Sequence, residues 1–147
     1  MRAYARKTVV VSTPRVRGRD AAAYLLSRLG CVHPFTLSRA LLLAELRWFE
    51  ARGERLTDLR YVAAPGTFYI EGFKEIIEGD ECFSKREGDP SKGVEGCIEY
   101  RCEPPRLDEE VARLLDEVAE AAKKMDRMRL HNLVLSHPLY DRIVEKG

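Results

Sequence analysis

The chain has 147 residues, 45% of them hydrophobic and 33% charged, and its formal net charge is +1. That length suits a single domain with a real core, and the near balance of acids and bases excludes any argument for nucleic acid from net charge alone. No run approaches the roughly 20 apolar residues that a membrane span requires, and the apolar stretch at residues 8–12 is too short for a signal-peptide core, so the expectation is a cytoplasmic protein without a membrane partner.

The first residues are the most basic. Residues 1–30 carry seven Lys or Arg side chains against one acid, Asp20, a net of +6, which leaves −5 for the rest of the chain. Such asymmetry fits a basic arm on an acidic body as well as a solvated surface. Within it, residues 4–12 (YARKTVVVS) place four β-branched side chains in a row and predict a strand. A connector, PRVRGR, follows Thr13-Pro14 and contributes Arg15, Arg17 and Arg19. Asp20 is a candidate N-cap for a helix closing at Gly30.

Residues 37–53 (LSRALLLAELRWFEARG) predict a second helix, with Thr36 or Ser38 as its cap and Gly53 at its end. Its apolar residues cover more than one stripe, which predicts a central helix touched on several sides, with Trp48 as a core anchor. Residues 56–62 predict a turn or short helix. Pro65-Gly66 then breaks the chain, and Thr67 is a natural cap for a helix over residues 67–78. Phe68 or Tyr69, Ile70, Phe73, Ile76 and Ile77 supply the helical spacing, while Gly72 inside it costs about 1 kcal/mol against Ala.

Residues 81–86 and 94–102 flank EGDPSKG, a loop of turn residues, and predict an antiparallel hairpin. Centring that loop near Pro90 puts Cys82 opposite Cys97 or Ile98. This makes Cys82–Cys97 a candidate cross-strand disulfide, with Cys31–Cys102 as a candidate second bridge. Cytosolic thiols ordinarily stay reduced, hyperthermophile cytosols being the exception. One Asn, no Gln and abundant Arg, Glu and Leu lean toward a thermophilic source. After Pro104-Pro105, residues 107–128 predict the longest helix. Val111, Leu114, Val118, Ala121, Met125 and Met128 lie alternately three and four apart as a heptad seam. That seam suits packing on the body of the domain or on a second copy of the chain, a homodimer.

From Leu37 to Tyr140 the layout resembles archaeal winged-helix proteins and, more distantly, the antitoxin-type domain of the Panacea group. The shared features are the long helix, the Pro65-Gly66 junction followed by a helix ending in Ile76-Ile77, the hairpin, and a charged helix after it. The resemblance implies an α+β winged helix-turn-helix domain spanning residues 1–147. Its parts would be a basic strand and arm (1–19), a winged-helix core (20–102) and a C-terminal helical extension (103–147). It further implies a dimeric, non-catalytic transcriptional regulator that binds double-stranded DNA, with Thr67, Tyr69 and Lys74 on the recognition helix and Lys85, Arg86 and Lys92 on the wing. Glu71, Glu75 and Glu78 on that helix would repel phosphates, so the basic arm, Arg2, Arg6, Lys7, Arg15, Arg17 and Arg19, becomes the candidate for the missing contacts. The alternative is a protein-interaction module, antitoxin- or adaptor-like, on the same frame without DNA binding.

Catalytic and cofactor chemistry finds little support. The cysteines contain no Cys-x-x-Cys pair for a metal, Cys31 and His33 lack a third orienting group for nucleophilic catalysis, and no phosphate loop, GxGxxG or GxSxG motif occurs. The expectation is no enzyme, no metal and no cofactor.

Overall fold

The computed structural model describes residues 13–147, so the strand expected over residues 4–12 lies outside the described residues. The architecture is α+β: α1 Gly18–Leu29, α2 Pro34–Arg52, β1 Tyr61–Ala64, β2 Thr67–Ile70, α3 Phe73–Glu78, β3 Phe83–Arg86, β4 Cys97–Tyr100, α4 Glu109–Lys123, α5 Arg127–Leu135 and α6 Tyr140–Ile143. Two antiparallel hairpins, β1–β2 and β3–β4, form separate two-stranded sheets.

Helix α2 is the hub, because residues 37–46 are all buried and no face of that stretch is free for solvent. It packs against α1, α4, α5 and α6. His33, rather than Thr36 or Ser38, is its N-cap: Nδ1 accepts the Phe35 N–H at 3.0 Å, and Pro34 occupies the first turn, where a missing N–H costs nothing. Trp48 is buried, as expected of a core anchor. Helix α1 starts two residues before Asp20, at Gly18, whose N–H donates to Asp58 Oδ1 at 2.7 Å. Only glycine fits there, since a Cβ would stand 2.3 Å from Leu59 Cδ2.

Two buried charges fix the chain after α2. Glu45 accepts from Arg55 Nε at 2.9 Å, from Thr57 Oγ1 at 2.6 Å and from the Leu56 and Thr57 N–H groups. With both partners paired and hydrogen-bonded, the ions are tolerated in the core. The loop they anchor leads into strand β1, in place of the expected turn or short helix.

The helix expected over residues 67–78 is half strand. Thr67 to Ile70 pair with β1 around a two-residue turn, with Ala64 opposite Thr67. Pro65 presets φ at the first central position and Gly66 takes φ 69° at the second, the requirements of a type II turn. Phe68 and Ile70 point inward and Tyr69 between them outward, with Thr67 half-buried at the turn, a period of two that the helical reading of the same residues passed over. Gly72 (φ 73°) then turns the chain into α3, which keeps only residues 73–78 of the expected helix.

The second hairpin forms as expected, in a different register. Arg86 lies opposite Cys97 and Phe83 opposite Tyr100, because a 3₁₀ turn at Pro90–Lys92 and the Asp89–Val94 bridge centre the loop beyond Pro90. That shift re-pairs the cysteines. The disulfides are Cys31–Cys97 and Cys82–Cys102, not Cys82–Cys97 and Cys31–Cys102. Beside the first bridge, Val32 exchanges backbone hydrogen bonds with Ile98 at 3.0 and 2.8 Å, so the α1–α2 connector runs along the edge of β4.

The C-terminal helix is also broken. Helix α4 ends at Lys123, and Asp126 caps α5 by accepting the Arg129 N–H at 2.8 Å. The buried side of α4 is Val111, Leu115, Val118, Ala119 and Ala122, a stripe rotated from the expected heptad positions. It faces α1 and α2 of the same chain. The chain end returns to β1, where Glu145 bonds to Ala63 and Tyr61 at 2.7 and 2.9 Å. Among the described residues, no helix is long and apolar enough to cross a membrane.

Candidate functional site

Strand alternation puts Phe83, Lys85, Ile98 and Tyr100 on one face of the β3–β4 hairpin, since residues directly opposite in a register share a face. In α3, Phe73 and Ile77 form one i, i+4 row and Lys74 and Glu78 the next, so all four lie on one side of the helix. These two surfaces meet as the walls of an apolar groove of about 280 Å³, with Pro34 from the start of α2 closing it. The floor is Phe73, Ile77, Phe83 and Ile98, and the rim carries Lys74, Lys85 and Glu78. Among the described residues neither Lys74 nor Lys85 meets a carboxylate, which leaves the rim with two cations against one acid.

The α3 wall is held by partial packing and from its ends. Six residues are too few for a helix to stand alone, and Phe73, Ile76 and Ile77 pack against the core without being fully buried. Ahead of it, Glu71 N–H bonds to the Arg60 carbonyl at 2.9 Å and the Glu71 carboxylate pairs with the Arg60 guanidinium. After it, Asp80 accepts from the Cys82 N–H and from Arg19, which hold its carboxyl below the usual range. Arg19 in turn donates to Asp20 and Tyr100. Burial works against its charge, but these bonds prevail and raise its pKa.

The other candidates from the sequence are dispersed. Arg15 pairs with Glu54 at 2.8 Å and lies over Trp48, and Arg17 pairs with Asp20. Arg15, Arg17 and Arg19 therefore all meet carboxylates of their own chain, and the arm's Arg2, Arg6 and Lys7 lie outside the described residues. Thr67 accepts from Arg39 beneath the β1–β2 turn, whereas Tyr69 is 53% exposed on the same strand. Arg86 pairs with Glu99 across the hairpin, on the face opposite the groove, and Lys92 is exposed at the hairpin tip. Of the nine cationic and polar candidates, the groove gathers two, Lys74 and Lys85. Its apolar floor was missed because Phe73, Ile77, Phe83 and Ile98 read in sequence as ordinary core positions.

No protein-family model matches this chain, and no curated protein or solved structure is similar to it. Function has to be read from the geometry and chemistry of these surfaces.

A second polar cluster lies in the core. The Arg39 guanidinium is sandwiched between the rings of Phe35 and Phe68, 3.7 and 4.2 Å from their centroids. It donates to His131 Nδ1 at 3.1 Å, to Ser38 and to Thr67, all of them neutral acceptors. Burial without a carboxylate lowers its pKa to about 10, and burial followed by the Arg39 charge lowers that of His131. The cluster ties α2 to β2 and α5. His33 and His137 accept N–H bonds as local caps, and the four cysteines are oxidised, so no thiol remains for the Cys31–His33 nucleophile.

Proposed function

We propose that the chain is a non-catalytic protein-binding module that seats a short segment of a partner protein in the groove between α3 and β3–β4. The observation that carries this reading is a preformed apolar trough with two unpaired lysines on its rim. Apolar side chains supply affinity by leaving water, and charge on the rim selects partners and speeds encounter. The matching segment has one or two bulky aliphatic or aromatic anchors flanked by Asp or Glu. The helix-then-hairpin order of α3–β3–β4 serves here as a frame for a peptide, the antitoxin- or adaptor-like alternative that the resemblance to Panacea-type domains allows.

A second reading keeps double-stranded DNA as the partner of a winged-helix transcriptional regulator. Its support is Lys74, Lys85 and Lys92, three exposed cations on helix, strand and tip. Against it stand the engagement of Arg15, Arg17 and Arg19 and the acids of α3 and the turn before it, Glu71, Glu75 and Glu78, since phosphate neutralisation supplies most DNA affinity. A homodimer through the C-terminal helices has Met128 (56% exposed) and Leu133 (39%) available on the α4–α5 corner. Two disulfides call for an oxidising compartment or a hyperthermophile-like cytosol.

Fluorescence polarisation separates the readings. A fluorescein-labelled 12-residue peptide with a central Leu-Trp pair between glutamates is titrated with the full chain, beside a labelled random 20-base-pair duplex, at 50 and 300 mM salt. The expectation is peptide binding that persists at 300 mM salt and weakens at least tenfold in Lys74→Glu/Lys85→Glu, with no duplex binding. Duplex binding that collapses with salt and is lost in the same variant would support the DNA reading instead.

A further inference from the structure

The groove is bounded by segments that the two disulfides fasten differently. Cys31–Cys97 joins the α1–α2 connector to β4, and that connection is doubled by the Val32–Ile98 backbone hydrogen bonds. Both of its cysteines are half-buried. Cys82–Cys102 joins the segment leaving α3 to the chain leaving β4. Cys82 is half-buried and Cys102 is exposed to solvent; beside this bridge the Arg101 N–H donates to the Cys82 carbonyl at 2.8 Å, next to the Phe83–Tyr100 pair that opens the β3–β4 ladder. The first bridge is thus half-buried at both cysteines, whereas the second reaches solvent at Cys102.

We propose that Cys82–Cys102 is a redox-addressable fastening of the groove's α3 wall, so that a dithiol reductant loosens the binding groove while Cys31–Cys97 keeps the hairpin in place. This rests on the reading of the groove as a binding site. In the exchange, one thiolate of the dithiol attacks the Cys102 sulfur, the S–S bond breaks, and Cys82 leaves as a thiolate that takes up a proton. The second thiol of the reductant then displaces Cys102, which is protonated in turn. Two electrons pass to the protein, leaving two cysteine thiols and one oxidised dithiol.

The structural consequence follows from what else holds α3. The helix has no side-chain cap and no fully buried residue, and Phe73, Ile76 and Ile77 are only partly buried against the core, so its position also depends on its end tethers. Opening the bridge leaves, ahead of the β3–β4 pairing, the Arg101–Cys82 backbone bond and the Asp80–Arg19 pair, a part-exposed ion pair that contributes little against the entropy of a loosened segment. Phe73 and Ile77, half of the groove's apolar floor, then lose their fixed distance from Phe83 and Ile98.

The test uses graded dithiothreitol on the full chain, trapping by alkylation, peptide mapping by mass spectrometry, and amide hydrogen exchange on the same samples. The expected result is that Cys82–Cys102 opens first and that amides of residues 73–79 then exchange at least tenfold faster, with the Val32 and Ile98 amides unchanged. Cys82→Ser/Cys102→Ser should reproduce this, and if that variant does not fold, the partly reduced protein still decides. Cys31–Cys97 opening first or together with the other bridge, or α3 exchange indifferent to reduction, would overturn the proposal. Polarisation with the Leu-Trp peptide distinguishes the two failures. Binding to oxidised protein that is unchanged on reduction ends the fastening and spares the function. No binding to oxidised protein, with α3 exchange still rising, ends the function and spares the fastening.

Discussion

Arg39 brings a positive charge into a core where every hydrogen-bond partner is neutral. Two aromatic faces and three acceptors replace the carboxylate that a buried guanidinium ordinarily finds. Arg39→Ala therefore removes the packing of a long side chain and strands buried acceptors on β2 and α5. Urea unfolding should show a loss of about 3 kcal/mol, whereas Arg17→Ala, at a side chain 71% exposed, should stay within about 0.5 kcal/mol. His131 adds a pH dependence whose sign is fixed by its lowered pKa. Above its usual 6.5 both folded and unfolded chains carry it neutral and it contributes no slope. As the pH falls below 6.5 the unfolded chain takes the proton first, so stability declines until the folded pKa is passed. His131→Asn keeps an acceptor near Nδ1 and removes the titration. The difference in urea midpoint between wild type and variant should change from pH 7 to pH 5, and a constant difference would contradict the assignment.

The elements show where sequence patterns decide and where they do not. Helix α2 was legible because a run buried on all sides has one meaning, and β3–β4 was legible because strand residues flank an unmistakable turn. Residues 67–78 were not. Phe68 and Ile70 fit a period of two, while Ile70, Phe73 and Ile77 are spaced three and four apart as in a helix, and only Pro65-Gly66 acting as a tight turn, with Gly72 at positive φ, decides where one ends and the other begins. The disulfide pairing depended on the hairpin register and on the α1–α2 connector reaching β4, a long-range contact that leaves no local trace. On a loop-entropy basis the Cys31–Cys97 bridge, with sequence separation 66, stabilises by about 4 kcal/mol, and Cys82–Cys102, with separation 20, by about 3 kcal/mol. The two paired Cys→Ser variants, compared by urea unfolding, should each lose on that order. The reverse ranking would mean that native strain or residual unfolded structure outweighs loop length.

For the whole molecule, the basic side chains of the chain's start that lie among the described residues, Arg15, Arg17, Arg19 and Arg28, are all engaged in internal pairs. Arg15, Arg19 and Arg28 reach Glu54, Asp80 and Asp116, and so fasten α1 and its leader to the rest of the molecule. Among the described residues, Lys74 and Lys85 at the groove meet no carboxylate and stand over its apolar floor, and that placement, invisible from net charge, favours a peptide over DNA. The most direct measurement is a two-dimensional ¹H–¹⁵N NMR titration of the oxidised chain with the Leu-Trp peptide flanked by glutamates. Shifts should be confined to α3, β3, β4 and the residues around Pro34, with those at Phe73, Ile77, Phe83 and Ile98 the largest. Shifts clustered elsewhere, on the α4–α5 corner or at the Lys92 tip, or none at millimolar peptide, would contradict it.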